Sequence, residues 1–219
     1  MLILEVTNPE EISLAPLARE IRGKQTFKQI AELVRKHFPM TTVKVHMSDK
    51  IESGSMNVGA HYDPEADEEG EIPIHIDLFF SDSDEGYLEW TKEGRKFFLY
   101  KIKDVMKHEL LHLKQHRNRD FHPGRDGYVD DQGMEYEYMS RPDEIEAYAM
   151  NIADELKRAV GKEKAFDLLR SAAKTTTLKD KFDHLLTPDL MAYFVLFKYD
   201  PTHPVLKKLL KKIYIYLNK

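Results

Sequence analysis

The first 80 residues of the chain carry two kinds of hydrophobic repeat. Residues 26–38 place apolar side chains three or four positions apart, which predicts an amphipathic helix. Residues 41–47 and 71–80 instead alternate apolar and polar positions, which predicts two strands. Pro73 favours an edge position, or the first position, for the second strand. A short extended segment is also predicted at 1–7.

Helical repeats dominate the rest of the chain. The stretch 87–118 is predicted to be mostly helical, with a core stripe formed by Leu99, Ile102, Met106, Leu110 and Leu113. A second informative helix is expected from about residue 141, because Ser140 and Asp143 fit the pattern of a capping box. Three later helices are predicted at 161–173, 188–198 and 205–217, the last of which docks its apolar face on the core.

Two polar stretches are predicted to be loops. The acidic segment 59–71 lacks the ligand spacing of a calcium loop and is interpreted as a solvated hairpin loop. The segment 120–139 is rich in Gly, Asp and Tyr and has no clear periodicity. Connections of that length are often functional, so we expect it to line a cleft.

These elements predict an α+β fold with a small, mixed or partly antiparallel sheet, a central helix and a helical C-terminal region. A chain of 219 residues, 42% hydrophobic and 32% charged, has enough apolar residues for one sizeable core. We therefore expect a single domain over 1–219, with its core elements in 41–158 and a helical subregion in 159–219.

Composition narrows the possible functions. The sequence has no apolar run near 18 residues and no signal-peptide pattern, so a cytoplasmic protein without membrane contact is expected. Cysteine is absent, which leaves histidine and carboxylate side chains as the ligands for any metal ion. The net charge of −5 argues against a general nucleic-acid-binding protein, which would need a basic surface.

The segment 108–112, read His-Glu-Leu-Leu-His, carries the most specific chemistry of the chain. Residues four apart share one face of a helix, so His108 and His112 can direct imidazole nitrogens at the same ion, for which zinc is the candidate. Glu109 lies about 60° around the helix from His112, a position that suits a base rather than a third ligand. His116 continues the spacing, but eight residues of helix rise about 12 Å, too far for it to share an ion with His108.

The helix that begins near residue 141 carries two carboxylates that could supply a third ligand. Glu144 and Glu146 both qualify, since each lies about 100° from Ile145 on the helical wheel. Helical periodicity does not choose between the two carboxylates.

The HExxH segment resembles that of the zincin metallopeptidases. In their gluzincin branch the third ligand is a glutamate on a downstream helix, and in several such families it opens an E-x-x-A-[D/N] segment. Residues 144–147 match this segment up to Ala147, and Tyr148 departs from it. The resemblance therefore favours Glu144 over Glu146. At a looser level, the run YMSRPDEIEAYA after HELLH is similar to small metallopeptidase-like proteins of tailed bacteriophages, which would place the protein in a host cytoplasm.

The resemblance implies a zincin-like fold and a zinc-dependent peptidase. His108, His112 and Glu144 would hold Zn²⁺, and Glu109 would act as general base on a water molecule at the fourth position. Tyr148 would help to stabilise the oxyanion; the other possible donors are His116, His122, Tyr128, Tyr136 and Tyr138. The substrate would be a peptide or protein, received in extended form beside the edge strand for which 71–80 is the candidate.

A second function belongs to another class. The same residues could hold zinc in a non-catalytic structural or interaction protein, for example a phage assembly or host-interaction factor. No nucleic-acid or membrane partner is expected, and the oligomeric state is left open by the sequence.

Overall fold

The computed structural model describes residues 12–125, 134–172 and 187–219. The chain divides into two compact units, Met1–His122 and Pro123–Lys219. The first contains all the described strands and the second is helical, which confirms the α+β class. The expectation of a single domain stays a prediction. None of the helices in the described ranges is long and apolar enough to cross a membrane.

Five strands form two small sheets in the first unit. They are β1 (Lys24–Thr26), β2 (Thr41–Ser48), β3 (Met56–Tyr62), β4 (Ile74–Ser81) and β5 (Tyr87–Glu89). The larger sheet has the order β2-β4-β3, with β2 parallel and β3 antiparallel to β4. Strands β1 and β5 form an antiparallel pair of their own. The mixed sheet and the strands expected at 41–47 and 71–80 are thereby confirmed.

The expectation that the second predicted strand lies at an edge is wrong. Strand β4 lies in the centre of the three-stranded sheet, and its even-numbered residues from Ile74 to Phe80 are completely buried. Pro73 precedes the strand, so its missing N–H removes no ladder bond, while its carbonyl accepts from the Asp63 N–H at 2.7 Å. Among the described strands, the edges of this sheet are β2 and β3.

Strand β3 was not predicted, since 59–71 was interpreted as a loop. Met56 and Val58 are buried on the core face of the strand, but the alternation fades at Gly59 and Ala60. Gly59 lies against the Phe79 ring, at a distance that would bring a Cβ into ordinary contact at 3.6 Å. A strand with a glycine at its centre gives little periodic signal, although its pairing with β4 is continuous.

Four described helices belong to the same unit: α1 (Ala15–Glu20), α2 (Phe27–His37), α3 (Pro64–Glu68) and α4 (Lys92–Arg117). Helix α2 confirms the first predicted helix and begins with a capping box between Thr26 and Gln29. Helix α4 begins five residues later than expected, because 87–89 pairs with β1 and Thr91 then caps the helix by accepting from the Gly94 N–H at 2.9 Å.

One face of α4 packs on the sheet, chiefly against β3. Ile102, Met106, Leu110 and Leu113 of the predicted stripe are at most 1% exposed, and Phe98 extends the stripe toward the start of the helix. Leu99 is only partly buried. The apolar stripe therefore fixes the rotation of α4, and with it the direction in which the side chains of the HExxH segment project.

The acidic segment after β3 is more than a solvated loop, which corrects the expectation for 59–71. Asp67 on α3 has a side chain that is only 2% exposed, and it forms an ion pair with Arg117 at the end of α4. The Arg117 Nε donates to Asp67 Oδ2 at 3.0 Å, and the Tyr62 hydroxyl donates to the same oxygen at 2.9 Å. Strand β3, helix α3 and the end of α4 are thus joined by one buried carboxylate.

We expect Asp67→Asn to lower the free energy of unfolding by about 2–4 kcal/mol, because it leaves Arg117 without its buried counter-charge. We expect a smaller loss of stability than for a fully buried ion pair because the Arg117 side chain is 39% exposed. Urea denaturation measures it, with the exposed Glu68→Gln on the same helix as the matched control. Equal unfolding midpoints for the two variants would contradict this role of Asp67.

The second unit contains five described helices. They are α5 (Met134–Ser140), α6 (Pro142–Val160), α7 (Lys162–Ala172), α8 (Pro188–Leu196) and α9 (Pro204–Asn218). The three later helices predicted from periodicity are confirmed. The docking of the C-terminal helix is confirmed as well, since Val205, Leu206, Leu209, Leu210 and Ile213 are all buried.

Two expectations at the start of this unit are wrong. Residues 134–140 form α5, with Tyr136 and Met139 buried, although 120–139 was interpreted as a loop. Ser140 does not cap α6: its Oγ donates to the Glu137 carbonyl at 2.9 Å within α5, and Arg141 occupies the N-cap position without a side-chain capping bond. The segment expected to be extended at 1–7 and Tyr128 lie outside the described residues.

Candidate metal centre

Helix α4 brings the two histidines of the HExxH segment together. The rings of His108 and His112 lie with centroids 4.7 Å apart at an interplanar angle of 67°. His108 and Glu109 are buried, with 8% and 7% exposure, and the Nε2 atom of His112 is buried although that residue is partly exposed. The spacing on the helix therefore produces the pair of imidazoles that the sequence predicts.

Gln115 sets the tautomer of His112. Its side-chain oxygen Oε1 lies 3.0 Å from Nδ1 of His112. Because a carbonyl oxygen only accepts, Nδ1 carries the proton and Nε2 keeps its lone pair, which is the form that a metal requires. Gln115 was not identified from the sequence, although its position three residues after His112 places it on the same face of the helix.

Glu144 lies in the first turn of α6 and is 7% exposed, with a buried Oε2 atom. Pro142 begins the helix, where its missing N–H costs no intrahelical bond. The first turn is also where the helix dipole favours a negative charge. A carboxylate buried in this position is therefore suited to act as a ligand.

Three of the residues singled out by the sequence meet in the structure. His108, His112 and Glu144 each offer one ligand atom, and these atoms all lie within 4.8 Å of one another. A tetrahedral zinc ion with bonds near 2.1 Å has its ligand atoms roughly 3.4 Å apart, which is within the 4.8 Å that spans this group. Two imidazole nitrogens and one carboxylate oxygen are also a donor set that zinc accepts. Within the described ranges, this is the one such group of histidine and acidic side chains.

Glu146, the competing candidate, is used elsewhere. Its Oε2 accepts from Lys212 Nζ at 2.9 Å, and its Oε1 accepts from the Tyr216 hydroxyl at 3.1 Å. Both partners lie on α9, which packs along α6. Glu146 is therefore bonded to α9, and Glu144 is the carboxylate that lies in one group with His108 and His112.

The other candidates for oxyanion donors have different surroundings. His116 is not part of the ligand group, and its ring lies 5.5 Å from that of Tyr62. Tyr136 is buried with its hydroxyl 2.8 Å from Nε2 of His203, which is a structural contact. Tyr138 and His122 are exposed.

Tyr148 follows Glu144 by one turn of α6. It is partly exposed and packs edge-on against Tyr193 of α8, with ring centroids 5.5 Å apart. This contact explains its place in the helical core. A role for its hydroxyl toward an oxyanion stays a prediction.

Comparisons of the chain with protein-family models, with curated proteins and with solved structures gave no match. The geometry defines a candidate centre of two histidines and one glutamate, with a further glutamate, Glu109, beside it. The likeness to zincins rests on the HExxH and E-x-x-A segments, and the likeness to phage proteins rests on the run YMSRPDEIEAYA after HELLH. Both stay predictions.

Proposed function

We propose that the protein is a zinc-dependent metallopeptidase of zincin-like fold. The observation that carries this proposal is the approach of His108, His112 and Glu144 to one point, although Glu144 is more than thirty positions away in the sequence. Two histidines at HExxH spacing alone could be a coincidence of composition. A buried carboxylate at the same point is what a zinc site with an open fourth position requires.

Zinc, when bound, would polarise the carbonyl of the scissile peptide bond and make an attacking water more acidic. Glu109 would accept a proton from that water as the water oxygen bonds to the carbonyl carbon. It would then donate the proton to the amide nitrogen as the carbon–nitrogen bond breaks, so that it ends each cycle ionised again. Glu109 follows His108 directly in the same helix, which supports this role.

We place the substrate along the edge of β3. Strand β4, the earlier candidate, lies in the centre of the sheet. Strand β3 is an edge among the described strands and packs against α4. The bond from Asp63 to Pro73 sets the alternation of the antiparallel ladder, so the backbone groups of Ala60 and Tyr62 face away from β4. An extended peptide could pair with these groups along the end of β3 that approaches His116.

Substitution of the two competing glutamates tests the proposal. Glu144→Gln is expected to lose most of its zinc and to lower the hydrolysis of an unfolded protein substrate by at least about 100-fold, since it removes a direct ligand. Glu146→Gln is the matched control, two residues away on the same helix, and keeps both zinc and hydrolysis. Zinc content and the release of new amino termini are measured on the same samples.

Three outcomes would argue against parts of the proposal. If Glu146→Gln lost zinc and Glu144→Gln kept it, Glu146 and not Glu144 would be the third ligand. Wild-type protein that carries no zinc would contradict the proposed metal centre. Zinc-loaded wild-type protein that hydrolyses no peptide bond would favour the non-catalytic structural or interaction protein.

A further inference from the structure

Tyr193 is a fully buried tyrosine whose hydroxyl makes no hydrogen bond to any described residue. It lies on α8 in the core of the helical unit. Tyr136, another buried tyrosine of that unit, has its hydroxyl bonded to His203. Buried hydroxyl groups nearly always have a partner, so the Tyr193 hydroxyl requires an explanation.

The surroundings of Tyr193 point toward the metal centre. Its ring contacts Tyr148, which shares a face of α6 with Glu144 one turn earlier. Burial raises the pKa of the Tyr193 hydroxyl well above its ordinary value, and the neighbouring Tyr148 and Glu144 raise it further. The ring contact with Tyr148 places Tyr193 beside the face of α6 that carries Glu144.

We propose that Tyr193 is a positioning residue for Glu144: its hydroxyl donates to the carboxylate oxygen that the metal leaves free. This inference rests on the proposed function, since it assigns the orphaned donor to a ligand of the metal. A carboxylate that binds a metal through one oxygen needs a donor on the other, and such outer partners fix the orientation of the ligand. Tyr193 comes from a different helix than Glu144, so it can restrain the side chain independently of α6.

Tyr193→Phe tests the assignment because it removes one oxygen atom and keeps the ring. We expect the dissociation constant for Zn²⁺, measured by competition with a chromophoric chelator, to rise by about tenfold. The melting temperature of the metal-free protein should not fall, since the lost hydroxyl had no partner in the metal-free fold. Tyr136→Phe is the matched control: it loses the bond to His203, so it melts earlier but binds Zn²⁺ as tightly as wild type.

A double-mutant cycle separates positioning from a general packing effect. If Tyr193 acts through Glu144, then Tyr193→Phe weakens Zn²⁺ binding in the wild-type background and has no effect in a Glu144→Ala background. An equal loss in both backgrounds, or unchanged affinity in the single variant, overturns the inference while leaving the metal centre intact. Wild-type protein that binds no Zn²⁺ overturns both this inference and the proposed function, so the two failures are distinguished by the wild-type titration alone.

Discussion

Wild-type protein purified without chelator is expected to carry about one zinc ion per chain, and His112→Ala is expected to carry less than about a tenth of that after dialysis. The substitution removes the ligand atom Nε2 and leaves only His108 and Glu144 in the group. Loss of an outer hydrogen-bond partner already weakens metal binding by about 10- to 100-fold, and loss of a ligand should exceed that. Elemental analysis of the two proteins measures the difference.

His116→Ala is the matched control for this experiment. His116 continues the four-residue spacing of the histidines along α4, but its atoms are outside the ligand group and its ring contacts Tyr62. It should therefore retain wild-type zinc content. Zinc retained in His112→Ala, or lost equally in both variants, would mean that the three side chains do not act as one site.

Glu109→Gln is expected to keep its zinc but to lower kcat/KM for peptide hydrolysis by about 10²- to 10⁴-fold, the range in which general acid–base groups contribute. Glutamine has nearly the same shape as glutamate and should preserve the packing of a residue that is 7% exposed. It cannot accept a proton at neutral pH, so the step that activates the water is lost while the ligands stay in place.

The control is Glu93→Gln in the first turn of the same helix, where the side chain is exposed. It should retain both zinc and hydrolysis. Unchanged turnover in Glu109→Gln, at full zinc occupancy, would dispose of its role as general base. Loss of zinc in that variant would instead assign Glu109 to the support of the ligands.

Local periodicity predicted the elements whose burial is one-sided and regular. Helix α2, strand β2 and the stripe on α4 each bury a repeating set of apolar side chains, and such a repeat can be read from the sequence. Strand β3 was not predicted because Gly59 and Ala60 interrupt its alternation of apolar and polar residues. Helix α5 was not predicted because it is short and buries only two apolar side chains, Tyr136 and Met139, which do not form a repeat.

The position of β4 shows why strand order is harder to predict than strand existence. Its hydrophobic alternation identifies the strand, and Pro73 favours either an edge position or the beginning of the strand. In the structure, Pro73 stands just before the ladder, and β2 and β3 pair on either side of 74–81. Pairing partners lie far away in sequence, so no local pattern specifies which strand is central.

The sequence alone determined that His108 and His112 share one face of a helix, because a separation of four residues has that consequence in any α-helix. Helical periodicity left Glu144 and Glu146 both open as a third ligand, and the resemblance to zincins favoured Glu144. Only the tertiary structure shows the partners of each: Lys212 and Tyr216, about seventy positions away, bind Glu146, while Glu144 lies in one group with the histidines. Spacing along a helix is a local property of the backbone, whereas the partner of a side chain depends on how distant helices pack.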